Sequence, residues 1–569
     1  MESIPNSLID SLRHRAQTQP HRLAYRYLQD GECQEMSLTY GGLDRRARAI
    51  AALLQAHAKP GDRALLLLPS GLDFIAAYFG CLYAKVIAIP IPPPHHARLH
   101  KSLATLSRIT QDATPAVALL ESPLRDAISK HPDAQRQFHG IQLLNTDRPD
   151  LETLAPHWQA PLVSSDDIAF LQYTSGSTTS PKGVMVSHGN LIHNLGLIET
   201  AFGQHPDSET VIWLPPYHDM GLIGGILQPL YTGNPVTLLP HLIFLQRPLR
   251  WLQAISRYQA TTSGGPNFAY ELCVRKVKPE QRADLDLSSW EVAFNGAEPI
   301  RSETLDRFAD YFAPCGFRRE AFAPCYGLAE GTLMVSGGPK NAPVMGLQLS
   351  LDALAENRVE MGKGKVVVEC GECLGGQSIR IVDPETLEAC PTGMIGEVWV
   401  NGPSIARGYW NKEEISEATF GAQVNGEGDM RYLRTGDLGF VDEGRLYITG
   451  RIKNLIIVDG KNHYAHDIEQ TVEAAHAAVL PAGCAAFAVD TGRGEGVVVM
   501  AEVQRGAMDE SAAVKKAIRR AVSLHNELPL HDIYLSLPGS IPRTTSGKIR
   551  HFLCRQKYLS NILQETTTP

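Results

Sequence analysis

Six hydroxyl side chains crowd one stretch of this chain, Tyr173 to Val184, which reads YTSGSTTSPKGV. Thr174, Ser175, Ser177, Thr178, Thr179 and Ser180 supply the hydroxyls, Gly176 opens the backbone among them, and Lys182-Gly183 adds a cation and a tight turn. Small donors closed by a lysine suit the phosphate chain of a nucleotide, because they approach closely and can hydrogen-bond many oxygens at once. The spacing is not that of a Walker A loop: five residues separate Gly176 from Lys182-Gly183, where that loop has four before Gly-Lys-Ser/Thr. A loop of this composition is also an ordinary solvated turn, so its meaning depends on what else the chain carries.

Several further stretches carry chemistry. Trp213 to Gly221, WLPPYHDMG, leads into an apolar, glycine-rich run through Leu230. Such a run lets the chain pass close to a long apolar ligand with His218 and Asp219 at its mouth, although core packing around an ordinary Asp/His hydrogen bond reads equally well. NGAEP, with Gly296, Ala297 and Glu298, follows an apolar run and reads as a strand ending in a turn. FAPCYGLAE repeats the pattern: Tyr326 offers an aromatic face for a purine, Gly327 permits close approach, and Glu330 is a hard oxygen ligand suited to magnesium. In RTGD, Asp437 can accept hydrogen bonds from both hydroxyls of a ribose; in ITGRIK, Arg451 can reach the same ribose or a phosphate, or remain a solvated charge. Near the end, IPRTTSGKIR places Lys548 after Gly547 in a turn-rich segment, where a lysine can be swung over a site in another domain and withdrawn.

The elements that must hold these residues are legible in outline. Up to about residue 165, helical patterns such as Leu43, Ala47, Ile50, Ala51 and Leu54 alternate with short apolar strands, Ala64 to Leu68 and Val86 to Ile91, which predicts α/β layers with a parallel sheet. Asp167 to Gln172 reads as a strand leading into the hydroxyl-rich loop, and Ser187 as the cap of a helix beginning near Asn190. Ligands bind at the ends of strands in such sheets, where NGAEP and YGLAE fall. Periodicity weakens between Ser336 and Cys373, which reads as an insertion, and strands resume at Ser378 to Val382 and Gly396 to Val400. A smaller domain is placed from Lys453 onward, with a helix on Val514, Ala517, Ile518, Ala521 and Val522 whose lysines and arginines form its solvated face.

Composition narrows the function. The 569 residues allow several cores, and a formal charge of -8 gives no support for nucleic-acid binding. Ten scattered cysteines make no disulfide framework, and the lone Cys370/Cys373 pair has no partner at zinc-site spacing. No signal-peptide pattern and no apolar run of membrane-spanning length is present, so a cytoplasmic location is expected.

YTSGSTTSPKGV, NGAEP, YGLAE, RTGD, ITGRIK and PRTTSGK, in this order and across nearly the whole chain, resemble the adenylate-forming superfamily of acyl-CoA synthetases, peptide-synthetase adenylation domains and luciferases. LPPYHDMGLIGG, Ala329 before Glu330 where most relatives have Thr, and GKNHYAHDIE at Gly460 to Glu469 resemble its fatty acyl-AMP ligases; Thr179 stands where many members have Gly. The resemblance implies an α/β fold with a large N-terminal domain, residues 1–452, carrying a family-type insertion near 340–370, and a smaller mobile α+β domain, 453–569. It implies ATP and Mg2+, a fatty acid substrate, and an acyl carrier protein or a carrier domain of a polyketide or nonribosomal synthase as acceptor, with a fatty acyl-CoA synthetase as the alternative and a catalytically silent binder as a third. Lys548 would be catalytic and Glu330 the metal ligand. Thr174, Ser175, Gly176, Ser177 and Thr178 would hold pyrophosphate, and Lys182, with Lys548 and magnesium, would neutralise the repulsion between the carboxylate and the α-phosphate of the nucleotide they bind. Gly296, Ala297, Glu298, Cys325, Tyr326, Gly327 and Leu328 would frame adenine; Asp437 would bind ribose, with Ile448 and Arg451 completing the pocket. His218, Met220 and Gly221 would border the acyl tunnel, and Lys453 would be the hinge.

Overall fold

The computed structural model describes residues 6–94, 99–174, 181–458, 461–491, 495–526, 528–544 and 547–567. The loop positions Ser175, Gly176, Ser177, Thr178, Thr179 and Ser180, and Gly460 of the GKNHYAHDIE stretch, lie outside these residues.

Apolar runs near the start of the chain become strands of a six-stranded sheet. Arg63–Leu67, Ile87–Pro90 and Val117–Leu120 are buried almost throughout, and the order is Gln142–Asn145, Val117–Leu120, Arg63–Leu67, Ile87–Pro90, Ile168–Thr174, Lys182–Ser187. All neighbours are parallel except the last pair, in which Thr174 stands opposite Lys182. The backbone therefore leaves and re-enters the sheet around the hydroxyl-rich loop with Lys182 at its foot.

A second, fourteen-stranded sheet runs through the rest of the large unit. Val236–Leu238, Thr210–Ile212, Thr262–Gly265, Val292–Asn295 and Phe322–Gly327 lie parallel; from Met334–Gly337 onward the neighbours are antiparallel. The YGLAE stretch thus sits where one mode of pairing gives way to the other.

The helix His188–Phe202 connects the two sheets. It starts at the expected cap: Ser187 Oγ accepts from the Asn190 N–H at 3.2 Å, and Asn190 Oδ1 accepts from the Ser187 N–H at 3.1 Å. The Asn190 amide also donates to the carbonyls of Pro403 and Ile405, at 2.8 and 2.9 Å.

One expectation is corrected. Within the stretch read as inserted, Lys365–Cys373 is a nine-residue strand of the second sheet, paired with Met334–Gly337 on one side and Arg445–Arg451 on the other. Its alternation is broken by a register shift between Glu369 and Glu372, with Gly371 at φ 72°, which hides a strand from a period-two reading. Cys370 and Cys373 lie on this strand as free thiols.

The C-terminal part has its own core. Val479–Asp490, Glu495–Val503 and Leu530–Ser536 form a three-stranded sheet. The helices Ala465–Ala475 and Ser511–His525 pack Ile468, Val472, Val514, Ile518 and Val522 on it, and Cys554 and Tyr558 of His551–Thr567 join a separate cluster with Phe487 and Met500. It touches the large unit through Arg301 to Glu473 at 3.5 Å and Lys365 to Asp467 at 2.7 Å. No described helix is long and apolar enough to cross a membrane.

Candidate active site

Acids and cations of both units line one cleft of about 1930 Å³, among them Asp219, Glu298, Glu330 and Asp437 with Lys182, Arg451, Lys453 and Lys548. Turns at the carboxyl ends of parallel strands bring most of the acids there. After Val292–Asn295, Ala297 adopts φ 69°, and Glu298 accepts the N–H of Phe268 at 2.5 Å. Burial raises the Glu298 carboxyl, while that N–H, Lys548 and Arg301 oppose the shift. After Phe322–Gly327 the chain turns so sharply that any side chain at Gly327 would collide with the Leu333 carbonyl, so this position accepts only glycine.

Asp437 is the most deeply fixed of the acids, 3 % exposed. Its Oδ2 accepts the Tyr326 hydroxyl at 2.7 Å and its Oδ1 accepts Arg451 Nε at 2.5 Å. The carboxylate in turn holds the guanidinium well above its ordinary value, and burial together with Asp437 raises the Tyr326 phenol. The tyrosine hydroxyl and the arginine are thus committed to Asp437, and the remaining carboxylate lone pairs are left for a ligand. Two residues beyond Arg451, enclosure by the cleft walls and the Arg451 charge pull Lys453 down to about 8, against the opposing pull of Asp437 and Glu330.

Glu330 and Lys182 are tied by a residue that no sequence pattern singles out. The Tyr409 hydroxyl donates to Glu330 Oε1 at 2.8 Å, and Lys182 Nζ sits 4.6 Å from the centre of the same ring. The segment around Tyr409 is laced to its neighbours by backbone bonds, Trp410 N–H to Gly183 O, Met185 N–H to Gly408 O and Ala406 N–H to Glu330 O. Seventy-nine residues separate Tyr409 from Glu330, so only the folded chain reveals the link.

Asp219 and Met220 line the cleft at the start of a π-helix, Met220–Leu227, a form that often marks functional positions; His218 and Gly221 stand beside them in the chain but are not among the lining residues. A side chain on Gly221 would collide with the Pro215 carbonyl, so this glycine lets the helix lie against the strand end. Asp219 Oδ1 caps the helix by accepting the Met220 N–H at 2.7 Å. Burial raises the Asp219 carboxyl, with Lys548 opposing, and burial followed by the Lys548 charge lowers His218 to about 4. Lys548 is itself lowered, chiefly by enclosure, with Asp219 the strongest opposing charge. Its side chain keeps contact with water in the cleft although protein surrounds it. A hairpin positions it: the Thr544 N–H donates to Lys548 O at 2.7 Å, and the Lys548 N–H to Thr544 Oγ1 at 3.0 Å.

Most of the sequence-derived candidates therefore meet in one place. Gly296, Ala297, Glu298, Cys325, Tyr326, Gly327, Leu328, Glu330, Asp437, Ile448, Arg451, Lys453 and Lys548 line the cleft together with Lys182 and Met220. Burial holds the Cys325 thiol up at about 12, which leaves it a neutral wall residue. Thr174 is not among the lining residues; its backbone stands opposite Lys182 in the strand pair.

Acids at the strand ends of the N-terminal part, the buried Asp437–Arg451 pair and Lys548 from the C-terminal part thus share one cleft. Residues 12–410 match the family model of AMP-binding enzymes, and residues 453–568 match that of the Disco-interacting protein 2-like AMP domain; the chain belongs to the AMP-binding enzyme family. It is similar to the medium-chain-fatty-acid–[acyl-carrier-protein] ligase JamA of Moorena producens, 45 % identical over 98 % of this chain and 96 % of that protein. It is 38 % identical to the 4-hydroxyphenylalkanoate adenylyltransferase of Mycobacterium marinum, over 98 % of this chain and 92 % of that one. Among solved structures it resembles the fatty acid AMP ligase of Legionella pneumophila, with 42 % identity, a TM-score of 0.76 and coverage of 98 % and 96 %.

Two outcomes follow from the geometry. Tyr409→Phe removes the bond to Glu330 but keeps the ring beside Lys182, and is expected to lower ATP turnover about tenfold, the worth of one charge-assisted hydrogen bond; wild-type turnover would show the bond to be idle. Because His218 is lowered, it carries a proton only below about pH 4. His218→Asn should therefore leave the shape of the activity profile unchanged between about pH 5 and 8, and a lost inflection in that range would contradict this.

Proposed function

We propose that the protein is an ATP-dependent fatty acyl-AMP ligase. It joins a medium- to long-chain fatty carboxylate to AMP and then passes the acyl group to the phosphopantetheine thiol of an acyl carrier protein. The observation that carries the reading is the arrival of Lys548, from the C-terminal unit, among Asp219, Glu298 and Asp437 at the strand ends of the N-terminal one.

The first step sets one anion against another. A carboxylate oxygen attacks the α-phosphorus, the bond to the β-phosphate oxygen breaks, and pyrophosphate leaves with the electron pair. Lys548 stabilises the charge developing on the α-phosphoryl oxygens, and Lys182 with the Thr174–Thr178 loop holds the departing pyrophosphate. Asp437 orients the ribose. The Gly296–Glu298 and Cys325–Leu328 turns frame the adenine, and Ile448 and Arg451 close that pocket. His218, Met220 and Gly221 border the acyl chain; neutral at physiological pH, His218 adds no charge to an apolar passage.

Glu330 suits magnesium. Tyr409 fixes one oxygen of its carboxylate, and Mg2+ is commonly held by one or two carboxylates completed by phosphate oxygens and waters. When bound, the ion neutralises phosphate charge. In the second step the carrier thiol attacks the acyl carbonyl and AMP departs. For this step residues 453–569 would turn as a unit about Lys453, withdrawing Lys548. Ten free cysteines fit a reducing compartment such as the cytoplasm.

JamA, whose name specifies an acyl-carrier-protein acceptor, supports this choice of acceptor. A second reading, a fatty acyl-CoA synthetase, draws on the 38 % identical putative fatty-acid–CoA ligase FadD21 of Mycobacterium tuberculosis. One set of assays separates the two. With ATP, magnesium and decanoic acid, the enzyme should release pyrophosphate and load a holo-carrier protein, with little acyl-CoA formed when coenzyme A is offered instead; efficient acyl-CoA formation would favour the synthetase. Lys548→Ala should slow pyrophosphate release by about 100- to 1000-fold while ATP still binds. An unaltered rate would refute its assigned role.

A further inference from the structure

The cleft extends beyond the strand ends as an arm across one face of the second sheet, lined by Phe202, Gly224, Phe294, Leu333 and Met334. Its direction follows from register. Thr262, the first residue of Thr262–Gly265, stands opposite Val292, and Gly264 stands opposite Phe294. Side chains alternate along a strand, so Thr262 and Phe294 share a face. From Gly265, at the carboxyl end of the strand, to Thr262 is three residues, about 10 Å along the strand. The arm therefore leads from the carboxyl edge, where the chemistry takes place, toward the amino edge of the parallel strands.

Its walls are apolar, but its far end is not. Phe202 stacks on Phe294 with ring centroids 6.0 Å apart and planes within 10°. Just past the helix that carries Phe202, and past its left-handed cap Gly203, Gln204 turns into the cleft. Gln204 is 8 % exposed, and its Oε1 is buried with no hydrogen-bond partner among the described residues. Thr262, 3 % exposed, lines the same cleft and brings a hydroxyl. An alkyl terminus pressed against this floor would leave the buried carbonyl unpaired, which is costly. A chain-end hydroxyl would donate to it, and a neutral amide matches a neutral alcohol.

Resting on the ligase reading above, we infer that the acyl arm is built for a medium-chain fatty acid bearing a hydroxyl at or near its far end, the hydroxyl donating to Gln204 Oε1. Discrimination of this kind is strong because a site made to pair with a hydroxyl is left with an unpaired polar group when the hydroxyl is missing.

The test measures pyrophosphate release for octanoic, decanoic and dodecanoic acids and for their ω-hydroxy counterparts. At the length that reaches the floor, the hydroxy acid should have the higher kcat/KM, by roughly tenfold or more. Gln204→Leu should reverse the preference, and Gln204→Glu, which keeps an acceptor oxygen, should retain it; wild-type thermal midpoints in both variants would exclude misfolding as the cause. The inference is overturned if the unsubstituted acid is preferred at every length and Gln204→Leu leaves the ratio unchanged, as it would if Gln204 held only a water. Release from none of the six acids would instead bring down the ligase reading and this inference with it.

Discussion

Opposed charge in a confined space is the constraint that the rest of this molecule serves. The walls of the cleft carry Asp219, Glu298, Glu330 and Asp437, and both reactants assigned to it are anions. These acids would repel them unless cations were fixed among them at known places. Lys182 is held by the Tyr409 ring and Arg451 by Asp437, so neither is free to drift. Lys548 differs in coming from the other unit of the chain, on a hairpin whose own backbone bonds set its position. Positive charge that belongs to a separate body can be removed once it is no longer wanted.

The fold supplies the fixed part of this arrangement through ordinary means. Parallel strands end together, and their turns deliver Glu298, Tyr326 and Glu330 to one edge. Where the sheet changes to antiparallel pairing, the long strand Leu433–Asp442 carries Asp437 to the same edge, and its neighbour Arg445–Arg451 brings Arg451 opposite it. The salt bridge between those two side chains is thus an extension of the strand register. Its strength comes from the burial of Asp437, which has few other groups to satisfy it.

Much of this is legible in the sequence, and the boundary has physical causes. NGAEP and YGLAE mark turns that need glycine, and turn chemistry is local, so the residue types and their order are enough to place them; RTGD is legible as a motif although it lies within the strand Leu433–Asp442. The helix after Ser187 is readable for the same reason, although it starts two residues ahead of the position its pattern suggests. Tyr409 escapes such a reading because its importance lies in contacts with Glu330 and Lys182, both distant along the chain, and an aromatic residue in RGYWN looks like packing. The strand Lys365–Cys373 escapes it because a bulge interrupts its alternation. Gln204 escapes it because a glutamine after a helix cap is usually solvated; only burial, with an unmatched oxygen, makes it conspicuous.

The account's central claim is that charges from two units of the chain converge on one phosphoryl group. The most direct measurement is a crystal structure with an acyl-adenylate bound. It should place the ribose hydroxyls on Asp437, the phosphate within hydrogen-bond reach of Lys548 Nζ, and the acyl chain past Met220 into the arm beside Phe294. A ribose lying away from Asp437, or a phosphate with no lysine near it while the C-terminal unit keeps its present contacts, would contradict the account.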